Sequence, residues 1–106
     1  MIIATTETVP GKKITKCLGL VRGNTIRARH LGRDIMAGIK NIVGGEIADY
    51  TKMMAESREQ SIDRMVEDAE AVGANAIVAV RFTTTSMMQS AAELLVYGTA
   101  VVVEDA

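Results

Sequence analysis

Cys17, His30 and seven methionines are the soft donors of this 106-residue chain. Thiolate, imidazole and thioether suit copper(I) and zinc. Their spacing is poor for a metal site within one chain: there is no Cys-x-x-Cys, no second histidine and a single thiolate. Met53 and Met54, on a helix, diverge by roughly a hundred degrees, and Met87 and Met88, on a strand, point to opposite faces. Methionine in a helical stripe ordinarily fills core, and a small buried thiol is the common fate of a lone cysteine. A symmetric assembly changes the count, because several copies of Cys17 can converge on one axis. Cys17 and His30 are therefore the metal-ligand candidates.

His30, Arg33 and Asp34 come nearest to a catalytic cluster. Arg27 and Arg29 would disfavour the protonated form of His30 if they lie close to it. Arg33 beside Asp34 is more often a helix-start ion pair than a catalytic one. The chain has no Ser-His-Asp signature, no P-loop, no G-x-G-x-x-G and no clear nucleophile with a base. An enzyme centred on Arg33 and Asp34 is the minority reading. Gly44-Gly45, ahead of a helix N-terminus, could cradle an anion through backbone N–H groups, although a plain break between helices explains the pair as well. Arg33, Asp34, Gly44 and Gly45 are the ligand-binding candidates, and the sequence specifies no cofactor.

Any such site must be positioned by one stretch above all. From Glu46 to Val72 there is neither proline nor glycine. Ile47, Tyr50, Met54, Ile62, Met65, Val66, Ala69 and Val72 recur at three- and four-residue steps, the spacing that lines one helical face. Lys52, Glu56, Glu59, Asp63, Glu67 and Glu70 fall mostly off that face. The pattern predicts one amphipathic helix over residues 46–73, about 40 Å long, stopped where Gly73 takes a left-handed conformation.

Shorter elements surround it. Met1 to Thr6 reads as a strand closed by the turn signal Val9-Pro10-Gly11. Lys13 to Arg22 reads as a second strand, with Gly19 marking a bulge or a close backbone approach. Gly23-Asn24 is a two-residue hairpin signal, after which Thr25 to Arg29 would return as an edge guarded by Arg27 and Arg29. Residues 33–43 show helical spacing and predict a short helix ending at Gly44. Ala76 to Thr83 is rich in β-branched residues, and Glu93 to Glu104 is the last strand. Its run Leu94-Leu95-Val96-Tyr97 and Ala100-Val101-Val102-Val103 is too apolar for a strand wet on one side. The long helix covers one face, and another subunit is expected to complete the cover of the other, as in common symmetric homo-oligomers.

Composition sets the outer limits. Length predicts a single domain over residues 1–106, and 48% apolar residues suffice for a core without staples. No apolar run reaches the ~18 residues of a membrane helix. The first residues lack a basic lead and a cleavage pattern, and the single cysteine fits a reducing compartment, so the cytoplasm is the expected location. Residues 1–40 carry a net +6 and residues 41–106 a net −7. The bland account is mutual neutralisation within or between subunits. A nucleic-acid surface is disfavoured, because residues 1–40 hold no aromatic ring for a base to stack on.

Arg33-Asp34, Ala37-Gly38-Ile39, Val43-Gly44-Gly45, Tyr50, Gly73-Ala74-Asn75-Ala76 and Tyr97-Gly98-Thr99-Ala100-Val101 together resemble the YbjQ-like family of small bacterial and archaeal proteins. Cys17-Leu18-Gly19 is similar to the equivalent stretch of some members, and the resemblance spans essentially the whole chain. It implies an α+β subunit, with an antiparallel sheet against one long helix plus a short helix, similar to the dodecin-type subunit and assembled as a homopentamer. The family carries a heavy-metal-binding label, while the usual heavy-metal motif, two cysteines in a loop, is absent here. Three function classes follow. The first is a ring-forming module that binds a small ligand or ion between subunits. The second is a soft-metal binder using Cys17 or His30, and the third an enzyme around Arg33 and Asp34.

Overall fold

The computed structural model describes residues 1–28, 45–88 and 91–106. The expected short helix over residues 33–43 lies outside them. The elements in chain order are β1 (Ile2–Ile3), β2 (Lys12–Ala28), α1 (Gly45–Ala71), β3 (Ala76–Met88) and β4 (Ala91–Asp105). The four strands form one sheet in the order β1-β3-β4-β2, with β1 parallel to β3 and the other pairs antiparallel. Among the described residues no helix is long and apolar enough to cross a membrane.

The expected long helix is present as 27 residues, and it ends as the glycine predicts. Gly73 has φ +86°. Its N–H donates to the Glu70 carbonyl at 3.0 Å, and the Ala74 N–H reaches back to the Ala69 carbonyl at 3.1 Å. This reciprocal pair satisfies carbonyls that the last helical turn would otherwise orphan. Asn75 then ties the helix exit to the sheet. Its side-chain amide donates to the Val103 carbonyl at 2.9 Å while its Oδ1 accepts the Val103 N–H at 2.8 Å. Its backbone N–H meets the Val101 carbonyl, and its own carbonyl receives the Ile2 N–H. A side chain here takes the place of a strand residue.

The hairpin expected at Gly23-Asn24 does not form. β2 runs on through both residues and pairs with β4 along its whole length, Gly23 facing Val96 and Asn24 facing Leu95. The reason lies in what Gly23 meets: a Cβ there would stand 2.0 Å from the Ser61 carbonyl oxygen and 2.5 Å from the Met65 nitrogen of α1. The glycine is present for close approach, not for a turn. Gly19 does mark a bulge, with φ +100° and a register shift between Cys17 and Gly19. A second bulge lies in β3, where Ala79 and Val80 both stand opposite Gly98 and Ala79 has φ 55°.

Two cores sandwich the sheet. On the helix side Val21, Met65, Ala69, Ile77, Val80, Val96 and Ala100 are buried together, with Leu18, Ile62 and Val66 against them. On the opposite side Ala76, Val78, Val101 and Val103 are covered by Ile2 and Val9. The N-terminal segment therefore covers part of the second face from within the chain. The helix stripe also differs from the apolar count, since Ser57 and Ser61 are buried in it. Thr25 Oγ1 and Ser61 Oγ lie 3.1 Å apart, Ser61 Oγ donates to the Leu94 carbonyl and Ser57 Oγ to the Met53 carbonyl. Among the described residues no buried side-chain polar atom lacks a partner.

Gly23→Ala should lower the urea midpoint by the equivalent of about 2 kcal/mol or more with an unchanged m-value, because backbone rather than a pliable side chain must move. An unaltered midpoint would refute the close-approach account. Asn75→Asp should cost about 1–3 kcal/mol near neutral pH, since a carboxylate has no proton for the Val103 carbonyl. Facing that carbonyl raises the new carboxyl's folded-state pKa, so the deficit should narrow as pH falls and the donor returns. Denaturation at a series of pH values against wild type measures both effects.

Candidate functional site

The described residues hold only part of the predicted site. His30, Arg33, Asp34 and Gly44 lie outside them, and Gly45 is the first residue of α1. Cys17 sits in β2 opposite Val101. Its thiol is free and exposed, not buried as a lone cysteine usually is. Among the described strands β2 is the outermost on its side of the sheet. Among the described residues no group of three or more His, Cys, Asp or Glu side chains could hold a metal ion.

Between Gly19 and Ala28 the β2–β4 register is unbroken, so side chains alternate strictly between faces. Val21, Gly23 and Thr25 turn to α1 and are buried, whereas Leu20, Arg22, Asn24 and Ile26 belong to the opposite face and are exposed. Arg22 pairs with Tyr97, and Tyr97 pairs with Arg81 on the other side. A row Arg22–Tyr97–Arg81 thus crosses three strands on the face away from the helix. Leu20 is 68% exposed, Ile26 58% and Tyr97 37%. This is apolar ground flanked by two cations, a composition suited to an organic anion with an apolar body. Arg81 is partly committed, donating to the carbonyls of Thr5 and Val80 at 2.8 and 2.9 Å. Asn24 Nδ2 donates to Glu93 Oε2 at 3.3 Å on the same face.

The outer margin of β2 is occupied by side chains of α1. Asp68 Oδ2 accepts the Arg22 backbone N–H at 3.3 Å, and Arg64 Nη1 donates to the Asn24 carbonyl at 2.6 Å. Farther along, Arg27 Nη2 donates to Gln60 Oε1. Open grooves flank this line, one bordered by Arg22, Arg64, Glu67 and Asp68, the other by Arg27, Glu56, Glu59 and Asp63. They are shallow and carry charges of both signs. Asp68 lies near the helix C-terminus, where a carboxylate is disfavoured, and it accepts the Arg22 backbone amide.

Among the described residues one ion pair joins the charges of the two halves. Lys12 Nζ and Asp105 Oδ1 form a 2.7 Å ion pair across the β2–β4 ends. The hydrogen bond from Lys12, then its charge, holds the Asp105 carboxyl below its ordinary value. A lowered folded-state pKa means that this contribution is full above the unfolded pKa and is lost as pH falls through the folded one. Lys13 and Lys16 on β2 make no salt bridge among the described residues.

The buried hydroxyls of Thr25, Ser57 and Ser61 bond to one another and to backbone carbonyls inside the fold. Sequence reasoning passed over Arg22, Tyr97 and Arg81 as a group. Period-two alternation through Gly23 would have placed Arg22 with Leu20 and Ile26, had the glycine not been read as a turn.

Comparison with known proteins gives a consistent result. The model of the YbjQ family, described as "Putative heavy-metal-binding", matches residues 1–104. A UPF0145 protein of Clostridioides difficile is 63% identical, covering 99% of this chain and 94% of the relative. A UPF0145 protein of Methanosarcina acetivorans is 61% identical over 95% of each chain. The crystal structure of a DUF74-family protein of unknown function from Pediococcus pentosaceus superposes with a TM-score of 0.66, covering 98% of both chains at 14% identity. That likeness speaks to the fold alone. With a whole-length family match and relatives above 60% identity, the chain belongs to the YbjQ family of UPF0145 proteins.

Proposed function

We propose that this protein is a ring-forming binding module, a cytoplasmic homopentamer of dodecin-like subunits that holds a small ligand or ion where subunits meet. The observation that carries the reading is apolar surface left open on the described strands, the kind of surface that contacts between subunits cover. Leu20, Ile26, Phe82 and Tyr97, all more than a third exposed, are apolar residues that such contacts would cover. The ring and its five-fold count follow from the family resemblance. Arg33, Asp34, Gly44 and Gly45 are the ligand-binding candidates, joined by Arg22 and Tyr97 on the open face.

A soft-metal binder is the second reading, favoured by the exposure of the Cys17 thiol and by the description of the family. Copies of Cys17, with His30, would have to converge across subunits, since one chain supplies a single thiolate. An enzyme around Arg33 and Asp34 is the third reading.

Sedimentation velocity should give a particle near five times the 11.3 kDa chain mass, and a well-folded lone subunit at micromolar concentration would overturn the proposal. A thermal-shift panel of metals, nucleotides, flavins and organic anions should contain a stabilising member, because a ligand of the native state raises apparent stability by RT ln(1 + [L]/Kd). Loss of that shift in Arg33→Ala or Arg22→Ala would place the ligand. Elemental analysis of untagged protein separates the metal reading: stoichiometric zinc or copper lost in Cys17→Ser supports it, and trace metal equal in both proteins removes it.

A further inference from the structure

We infer that the row Arg22–Tyr97–Arg81 binds an aromatic acid, a flat ring carrying one carboxylate or phosphate, which names the ligand class for the binding module proposed above and rests on that reading. The site lies in a corner that the topology builds. β1 and β2 stand at opposite edges of the sheet, so the chain between them crosses β3 and β4. Val9 packs on the core of Ala76, Val78, Val101 and Val103, so the crossing runs over the face away from α1. It covers one end of that face and stops. Val78 is 4% exposed, while Arg81, the next residue of the face beyond the Ala79 bulge, is exposed. Arg81 Nη1 donates to the Thr5 carbonyl of the crossing segment at 2.8 Å. The row therefore lies against a backbone ledge, with open sheet on its other side.

Ring and charge are arranged for such a ligand. Tyr97 offers a partly exposed ring between two arginines that stand two strand spacings apart, about 10 Å. Aromatic rings stack on one another with an offset, and a guanidinium recognises carboxylate or phosphate through paired N–H donors. Arg81 is held in place ahead of binding, because the carbonyls of Thr5 and Val80 both take its Nη1. Carbonyls are neutral, so the charge is positioned without being cancelled. No carboxylate of the described residues forms an ion pair with Arg22 or Arg81. Such ordering lowers the entropy lost when a side chain is immobilised by a ligand. Leu20 and Leu95, in the rows on either side of Tyr97, supply apolar floor for the body of the ring.

The surrounding acids narrow the choice. Glu93, farther along β4, accepts a hydrogen bond from Asn24, and Glu7 is exposed on the crossing segment. A long polyanion such as a nucleic-acid strand would run past both carboxylates, and like charges repel it. A ligand with a single anionic head meets the two arginines alone. An inorganic anion would leave the apolar floor wet, and a neutral ring would leave both guanidiniums without a partner. Ring and head together use the whole row.

NMR titration of the full chain tests this with probes that share one ring or one charge: 2-naphthoate, 2-naphthyl phosphate, 2-naphthol and inorganic phosphate. At neutral pH the two naphthyl anions should shift the signals of Tyr97, Leu95 and Arg81 to saturation, with naphthol and inorganic phosphate weaker by at least about tenfold. Arg22→Gln should weaken the naphthyl anions about three- to tenfold and leave naphthol unchanged. Arg81→Gln should do the same, with the Ala79 and Val80 amides reporting whether the crossing segment has kept its place. Arg22→Gln carries the test if it has not. Binding of one naphthyl anion and not the other supports the site and names the head group. Naphthol binding as tightly as naphthoate, or inorganic phosphate as tightly as naphthyl phosphate, overturns the proposal. A ligand that stabilises the protein in the thermal-shift panel, while no probe moves these signals, overturns this site and leaves the module reading standing. If nothing stabilises the protein and no probe binds, both readings fall.

Discussion

The backbone of α1 passes so near Gly23 that even a methyl group has no room between helix and sheet. That clearance sets the depth at which the helix lies. It brings Met65 and Ala69 to complete burial against Val21, Val96 and Ala100. Burying a side chain the size of Met65, Ile77 or Val96 is worth about 1.5–3 kcal/mol each. A helix lifted to accommodate a Cβ would loosen all of them together. Gly98 does related work in β4, where a Cβ would stand 2.8 Å from an Ile77 methyl and 3.0 Å from the Val78 carbonyl oxygen.

Much of this architecture is legible in the residues. Glu46 to Val72 reads as one helix by period, and Gly73 as its stop. Gly19 reads as a bulge, and Val9-Pro10-Gly11 as a turn, closed by the Lys12 N–H on the Val9 carbonyl. The error at Gly23-Asn24 has a physical source. Glycine serves both tight turns and close contacts between elements far apart in sequence, and local composition does not distinguish them. Ser57 and Ser61 escape an apolar count for a similar reason, because their hydroxyls are satisfied by backbone and side chains that only the fold brings near. The candidate site was less legible. Arg22, Tyr97 and Arg81 come from three strands and share a row only once the register is known. Cys17 could be named from the sequence, but its exposure shows only in the fold.

The N-terminal ten residues alter the question of cover. The apolar end of β4 demands shielding on both faces, and part of it comes from Ile2 and Val9 folding over Val101 and Val103. The demand that remains lies toward the other end, at Leu20, Ile26, Phe82 and Tyr97. Among the described residues, one end of the subunit is thus finished by its own chain, and the other keeps these apolar side chains exposed. The bulge at Ala79 stands at the border between them. An alanine in the left-handed region is strained by about 1–2 kcal/mol, and two hydrogen bonds from the N-terminal segment hold that neighbourhood in place.

The hydroxyls of Thr25, Ser57 and Ser61 give the helix an axial address. Grease alone is indifferent to a slide of one turn, about 5.4 Å, since apolar side chains can repack against new neighbours at similar cost. Hydroxyls under the helix are not indifferent. A slipped helix would strand them without partners in a dry interior, at about 1–3 kcal/mol apiece. The few polar atoms in this core therefore act as detents, selecting one longitudinal setting from several that hydrophobicity by itself would tolerate.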